Sequence, residues 1–231
     1  LRDVPDVQKS FEAYQSRQAS LSDLSPMHPS AIFSKKKDND PVTRGWQVGL
    51  TYAPDYSNVR FTHRDKVGFN AGLTVGYRFN KRWSVNTGAI ITKKNYTAFG
   101  KDYHPPKGYW TYNVYLNTVN ANCNMIDIPL NVRYDFISNK KNHAVISTGL
   151  STYFMNKETY DYHFTYNGVY GRDQRSYDEK TKHWFSILNV STGYERNINR
   201  RFSLQLEPYL KIPVKGLGFG KVNLNSYGAY F

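Results

Sequence analysis

The sequence predicts an all-β protein: an eight-stranded antiparallel up-and-down transmembrane β-barrel with a non-barrel N-terminal segment. From Arg44 onward, apolar residues recur at every second position, which is the period of a strand with two different faces. The connections between these runs alternate long and short, as in outer-membrane barrels, whose periplasmic turns are short and whose outer loops are longer. No run approaches the roughly 20 apolar residues of a membrane helix, so a helical membrane protein is excluded.

Seven runs show the alternation clearly, and an eighth near the C-terminus has an ambiguous phase. In the second run, Phe69, Leu73 and Val75 alternate with Asn70 and Thr74. Most runs reach the ~9–11 residues that a tilted strand needs to cross a bilayer. The predicted strands are 46–52, 69–79, 83–91, 126–136, 144–154, 184–195, 202–212 and 222–231. The connections are 54–66, 80–82, 98–122, 137–142, 157–182, 198–199 and 214–221.

The two faces of the predicted strands differ in polarity, because one is aliphatic and aromatic and the other carries Gly, Ser, Asn and charges. Polarity alone also fits a soluble lipocalin-like ligand-binding barrel, which would turn its polar face to water. The glycines favour a polar interior, since eight strands leave only enough room for side chains. Charges inside must pair, because unpaired buried charges are too costly, and such a plugged lumen argues against a small-solute channel. The predicted lumen charge network is Arg78, Asp127, Arg133, Asp135, Glu195, Glu207 and Lys211.

The net charge of +13 is concentrated rather than diffuse. Each of the three short turns carries two basic residues, close to a Tyr, Trp or Phe. One interpretation is that aromatics anchor at the membrane–water boundary while basic side chains reach anionic head groups; the other is that the turns are simply solvated. With an even strand count, both termini then lie in the periplasm. The predicted periplasmic basic turns comprise Lys81, Arg82, Lys140, Lys141, Arg200 and Arg201.

A pI near 9.6 with 16% aromatic residues is also typical of nucleic-acid-binding proteins. Nucleic-acid binders cluster basic and stacking residues on one face or groove. Here the aromatics share a face with Leu, Ile and Val while the basic residues occupy turns, so no nucleic-acid partner is expected.

Residues 1–43 lack strand alternation and are assigned to a linker or tail, with 44–231 forming the barrel. Val4, Val7, Phe11 and Tyr14 have helical spacing, which predicts a short helix at 5–19. The chain opens at Leu1 without a leader pattern, as expected of a processed product or a fragment. The tail is either a flexible linker, a lumen plug or a tether in the periplasm.

The two longest connections are rich in aromatic residues. Tyr and Trp give large contact areas with polar tips, which suits a recognition surface for a protein partner. The alternative is that these connections extend hairpins whose tyrosines pack on one another. The candidate recognition residues are Tyr103, Tyr109, Trp110, Tyr112, Tyr162, Tyr166 and Tyr170.

Signatures of catalysis and of metal or cofactor binding are not found. The six histidines lack metal-ligand spacing with one another or with Cys123. The glycines at 216–220 follow a strand rather than opening a helix, so they do not form a phosphate-binding loop. We therefore expect no enzyme activity, no metal and no cofactor, and the lone cysteine excludes an internal disulfide framework.

One motif carries a family resemblance. Asp127-Ile-Pro-Leu-Asn-Val-Arg-Tyr134 resembles the E-I-P-L-x-x-K-Y strand of PorT-like outer-membrane barrels of Bacteroidota, and Leu206-Glu-Pro-Tyr209 resembles a later strand of that family. The resemblance covers about 44–231. It implies an outer-membrane barrel without a catalytic role, serving secretion or forming the outer-membrane end of an envelope-spanning signalling protein. The charged tail fits the second kind.

Overall fold

The computed structural model describes residues 44–59, 67–106, 108–109, 114–178, 181–199 and 201–231. The predicted tail and its helix at 5–19 lie outside these residues. No helix in the described part of the chain is long and apolar enough to cross a membrane. The strands are β1 Gly45–Val59, β2 Gly68–Arg78, β3 Trp83–Phe99, β4 Val114–Ser138, β5 Asn142–Tyr166, β6 Val169–Tyr177, β7 Lys182–Asn197, β8 Ser203–Pro213 and β9 Leu224–Tyr230.

Eight of these strands close into a ring in which every neighbouring pair is antiparallel. The order is β4-β3-β2-β1-β9-β8-β7-β5, and a β4–β5 pairing completes the ring. The ninth strand, β6, pairs only with β5 and lies outside the ring. The predicted fold class is therefore confirmed, with one additional strand.

The predicted long connections are wrong in extent, because strands continue through much of them. β4 and β5 are 25 residues long, and they pair with each other as far as Val114 and Tyr166. The connection predicted at 157–182 is mostly a hairpin of β5 and β6, joined by Asn167 and Gly168 at φ 48° and 82°. These are the positive angles of a type I′ turn, for which Asn-Gly is the preferred pair. β1 likewise continues past Pro54 to Val59.

The lower part of the ring, nearest the short turns, is apolar outside and polar inside. Trp46, Val48 and Leu50 on β1 are 74%, 76% and 83% exposed. The intervening inward positions of the ring include buried Arg78, Asp127 and Arg133. This arrangement suits a lipid surround and is the reverse of a soluble barrel.

Two rows of outward-facing aromatic residues bound the apolar outer face. The lower row lies beside the short turns and includes the ring pairs Trp46–Tyr77 and Trp83–Tyr134, with centroids 5.1 and 4.8 Å apart. The upper row includes Phe154–Trp184 and Tyr56–Tyr227, both at 5.6 Å. From Tyr77 to Phe69 the barrel rises by about 20 Å at the usual strand rise and tilt, close to the ~25 Å apolar band of outer-membrane barrels.

Above the upper aromatic row the polarity of the sheet reverses. On β3 the outward positions change from Ile91 to Lys93 and Asn95, while the inward positions become Tyr96 and Ala98, both buried. β4 and β5 change in the same way, and their inward residues form one apolar cluster with residues of 217–224. We call this upper part the cap. In the cap, apolar residues lie inside and polar residues lie outside, as in an ordinary soluble protein. The surroundings of the ring therefore change from lipid to water at this level.

β9 covers only the upper part of its two neighbours. It pairs with β1 from Asp55 to Val59 and with β8 from Glu207 to Lys211, and Phe231 adds two backbone bonds to Tyr52. Below this point β1 and β8 have no strand between them in the described residues. A cavity of about 530 Å³ opens there, lined by polar residues such as Gln47, Asn131 and Glu207.

Candidate functional site

The lower lumen holds the first of three charge clusters, and four of its members were predicted. Asp135 accepts from Arg78 at 3.0 Å and from Arg133 at 2.9 Å, and Arg133 also pairs with Glu195. Nδ1 of His143 lies 3.1 Å from Oδ2 of Asp135, the same oxygen that accepts from Arg78. Because these side chains come from β2, β4, β5 and β7, the cluster ties together strands on different sides of the ring.

The middle lumen holds the Asp127–Lys211 pair, which was also predicted. Asp127 of β4 and Lys211 of β8 are buried, and the Lys211 ammonium donates to a carboxylate oxygen of Asp127. The ammonium also lies 5.9, 5.7 and 5.9 Å from the ring centres of Tyr153, Tyr209 and Tyr230. Three aromatic faces and one carboxylate therefore surround this cation.

A third cluster, around Asp55 and Lys94, was missed in the sequence. Both oxygens of Asp55 lie 3.1 Å from the Lys94 ammonium, and Ser226 lies 2.6 Å from it. Tyr209 and Asn70 also donate to Asp55, at 2.8 and 3.2 Å. The signal was available, because both charges continue the inward phase of their strands. The predicted first and third strands ended at 52 and 91, before these two residues.

Glu207, the remaining predicted lumen charge, differs from the others. Its carboxylate accepts hydrogen bonds from Ser191 and Gln205 and makes no ion pair with a described cation. It lies on the wall of the 530 Å³ cavity, in the half of the lumen nearest the short turns.

The cap closes the opposite end of the lumen with packed tyrosines. Tyr103 and Tyr162, both buried, share a hydroxyl hydrogen bond of 2.6 Å. Phe219 stacks on Tyr177 with ring centres 4.4 Å apart, and its amide donates to buried Glu158 at 3.0 Å. Burial, together with a hydrogen bond to Tyr109, raises the pKa of Tyr177 to about 12. The Tyr177 hydroxyl is therefore neutral at physiological pH.

The candidate recognition residues fall into different environments. Tyr166 and Tyr170 are exposed at the tip of the β5–β6 hairpin, with Val169 between them and Tyr115 on the adjoining strand. By contrast Tyr103 and Tyr162 belong to the buried cluster, and Tyr109 is packed against it. Trp110 and Tyr112 lie outside the described residues. The hairpin tip is thus where the structure gathers accessible aromatic side chains.

The hairpin behind the tip is braced on its outward face by an ion pair. Arg172 of β6 donates to Asp161 of β5 from Nε at 2.8 Å and from a terminal nitrogen at 2.5 Å. The Arg172 guanidinium holds the pKa of Asp161 below its ordinary value. The contribution to stability is small, since Arg172 is largely exposed and water screens the pair.

The predicted basic turns lie together at the other end of the ring. Lys81, Arg82, Lys140, Lys141 and Arg201 are exposed, and Arg200 lies outside the described residues. Arg82 donates to the hydroxyl of Tyr134 at 3.1 Å, which places a cation beside the lower aromatic row. The described residues contain no group of three or more His, Cys, Asp or Glu side chains that could hold a metal ion.

Comparison with known proteins agrees with this architecture. A family model described as "Outer membrane protein beta-barrel domain" matches residues 15–212. The chain belongs to this family. An outer-membrane location follows for the barrel. No curated protein matches the chain.

Solved outer-membrane barrels resemble this chain at low identity. The attachment invasion locus protein Ail of Yersinia pestis is 13% identical, with a TM-score of 0.40, over 80% of this chain and 94% of that one. Neisserial surface protein A is 14% identical, with a TM-score of 0.43, over 80% and 95%. The N-terminal β-barrel domain of Pseudomonas aeruginosa OprF is 11% identical, with a TM-score of 0.31, over 79% and 95%.

Proposed function

We propose that this protein is a non-enzymatic outer-membrane barrel with a plugged lumen, which acts as an interaction module through the β5–β6 hairpin. The observation that carries the proposal is the hairpin tip, where Tyr115, Val169 and Tyr170 are 72%, 70% and 63% exposed. Exposed aromatic residues on a rigid scaffold give contact area at a small entropic cost. The packed cap beneath the tip supplies that scaffold.

The plugged lumen supports an interaction role over solute transport. Three charge clusters join strands across the ring, and the cap closes one end. A solute would have to displace paired, buried charges, which is costly. A channel would require a continuous wide lumen.

The proposed orientation places the cap and hairpin outside the cell and the basic turns in the periplasm. Outer-membrane barrels have short periplasmic turns and long extracellular connections. β1 starts opposite Arg78, beside a short turn, and β9 runs toward that same end. Both chain ends are therefore proposed to be periplasmic, where the N-terminal segment is available as a tether.

Within this class we propose a PorT-like role as a secretion accessory or an envelope-signalling component. The support is the Asp127-Ile-Pro-Leu motif, which contributes Asp127 to the buried pair with Lys211. The motif thus has a structural task in the lumen, and the role outside rests on the hairpin.

Site-specific photocrosslinking in intact cells tests the proposal. A photoreactive residue at Tyr170 should yield a discrete covalent adduct with a partner. The matched control is Gln174, on the same face of β6 four residues nearer the membrane, where we expect no adduct. A cysteine placed at Gln174 should react with an impermeant maleimide on whole cells, whereas one at Asn139 should not; buried Cys123 gives little background.

Two results would contradict the proposal. Labelling of Asn139 but not Gln174 on whole cells would invert the orientation. An adduct from Gln174 equal to that from Tyr170, or an adduct from neither, would remove the hairpin tip as the recognition surface.

A further inference from the structure

A row of basic residues crosses neighbouring strands directly above the upper aromatic row. Lys93 of β3 pairs with Asn124 of β4, which pairs in turn with Lys157 of β5. Lys182 opens β7 opposite Phe154. We call Lys93, Asn124, Lys157 and Lys182 the upper lysine row.

Strand alternation points this row outward. Lys93 continues the phase of exposed Ile91, and Asn124 continues the phase of exposed Ile126. The neighbouring residues in the opposite phase, such as Lys94 and Glu158, are buried inside the ring. The row therefore faces the surroundings of the barrel at the level where the outer face stops being apolar.

The three lysines differ from those in the lumen in having no carboxylate partner among the described residues. Lys94 and Lys211 pair with Asp55 and Asp127 inside the ring. Lys182 instead places its ammonium 6.0 Å from the ring centre of Phe154. The row thus offers outward positive charge that no described carboxylate neutralises.

The spacing of the row suits a single phosphate. Adjacent strands lie about 4.8 Å apart, so the backbones of Lys93 and Lys157 are separated by about 10 Å, with Asn124 between them. Long lysine stems carry their charge toward the head-group level while lying on apolar surface. Both ammonium groups can therefore converge on one anion, to which the Asn124 amide can also donate.

The level of the row identifies the source of that anion. Aromatic girdles mark the boundary of the hydrocarbon region, so a row directly above one lies among lipid head groups. Beneath Lys182 the rings of Phe154 and Trp184 meet edge to face, and Trp184 is largely exposed. The exposed Trp184 ring presents a flat apolar face that the face of a sugar ring can cover.

We propose that the upper lysine row binds the phosphate of a phosphorylated glycolipid in the outer leaflet, with Trp184 packing against its sugar. The leaflet assignment rests on the proposed orientation. Lipid binding itself requires neither that orientation nor a hairpin partner, so the two proposals can fail separately.

Titration of the folded barrel in detergent with diphosphoryl lipid A, followed by native mass spectrometry, tests the proposal. The test variant is Lys93→Gln with Lys157→Gln, which keeps the stems and removes the charges. The matched control is Lys101→Gln with Lys221→Gln, two exposed lysines of the cap that lie outside the row. At about 1 kcal/mol per lysine near an anionic surface, the test variant should bind lipid A about 30-fold more weakly, and the control should bind like the wild type.

Comparing lipid A with two other lipids distinguishes the possible ligands. Dephosphorylated lipid A should bind the wild type as weakly as lipid A binds the test variant, and phosphatidylglycerol should bind more weakly than lipid A. Unchanged affinity in the test variant, or equal binding of dephosphorylated lipid, would overturn the site. Equal binding of phosphatidylglycerol would overturn the glycolipid assignment. Retained heat-modifiable migration in electrophoresis shows that each variant is folded.

Discussion

Removing the Lys211 ammonium should destabilise the barrel more than removing its carboxylate partner does. In Lys211→Met, Asp127 stays buried in the lumen, and its second oxygen already has no hydrogen-bond partner among the described residues. In Asp127→Asn, the Lys211 ammonium keeps three tyrosine rings within 6 Å. Removing Lys211 therefore leaves a less well compensated buried charge than removing the Asp127 carboxylate does.

The magnitudes follow from burial and from the contacts that remain. Breaking a buried ion pair by removing one partner costs about 3–5 kcal/mol, and we expect this full cost for Lys211→Met. Each tyrosine face can return about 0.5–1 kcal/mol to the cation, so Asp127→Asn should cost about 1–3 kcal/mol. The double variant leaves no buried charge and should lie within about 1 kcal/mol of the wild type.

Equilibrium unfolding by urea in lipid vesicles measures these differences, with tryptophan fluorescence as the readout. The double-mutant cycle reports the coupling between the two residues directly. The reasoning is refuted if the double variant is as unstable as Lys211→Met, since the cost would then come from lost packing rather than from a stranded charge. Equal destabilisation by both single variants would refute the role of the tyrosine rings.

Two further predictions concern the cap and the hairpin. Tyr160→Ala removes a fully buried ring from the cap, so the free energy of local opening should fall by about 3–5 kcal/mol; hydrogen exchange should then rise in 214–223 while heat-modifiable migration persists. The pKa of Asp161 is depressed by Arg172. The Asp161 carboxylate therefore stabilises the hairpin above the ordinary carboxyl pKa, and this stabilisation is lost as the pH falls through the pKa of Asp161 in the folded protein. The protection factors of amides at the hairpin tip, which are corrected for the intrinsic exchange rate, should therefore fall below about pH 4, and Asp161→Asn should abolish that fall.

Much of the membrane-embedded ring could be predicted from sequence because one rule governs it. A strand between lipid and a packed polar lumen must alternate, and Leu73, Thr74 and Val75 already show both faces. The Arg133–Glu195 and Asp127–Lys211 contacts were expected only as a balanced set. Which charge meets which depends on strand order and register around the ring, and alternation within single strands does not carry that information.

The cap was missed because its strands keep the same period with the opposite polarity. Val119, Ala121 and Cys123 are inward and buried, whereas Asn120 and Asn122 face outward. A prediction that requires apolar residues on the outward face of each strand assigns such a segment to a loop. Asn167-Gly168 was the local signal for the hairpin, and giving more weight to Asn-Gly between alternating runs would have revealed β6.

The reversal of polarity is informative because it locates the membrane boundary within single strands. On β3 the change falls between Ile91 and Lys93, and on β4 it falls between Ile126 and Asn124. These residues are cross-strand partners, since Ile91 pairs with Ile126 and Lys93 with Asn124, so the boundary lies at one height on both strands. Such a change of polarity at one height on neighbouring strands is what a bilayer surface produces. The upper lysine row lies at this level and no described carboxylate neutralises it, so its charge is best explained by lipid head groups.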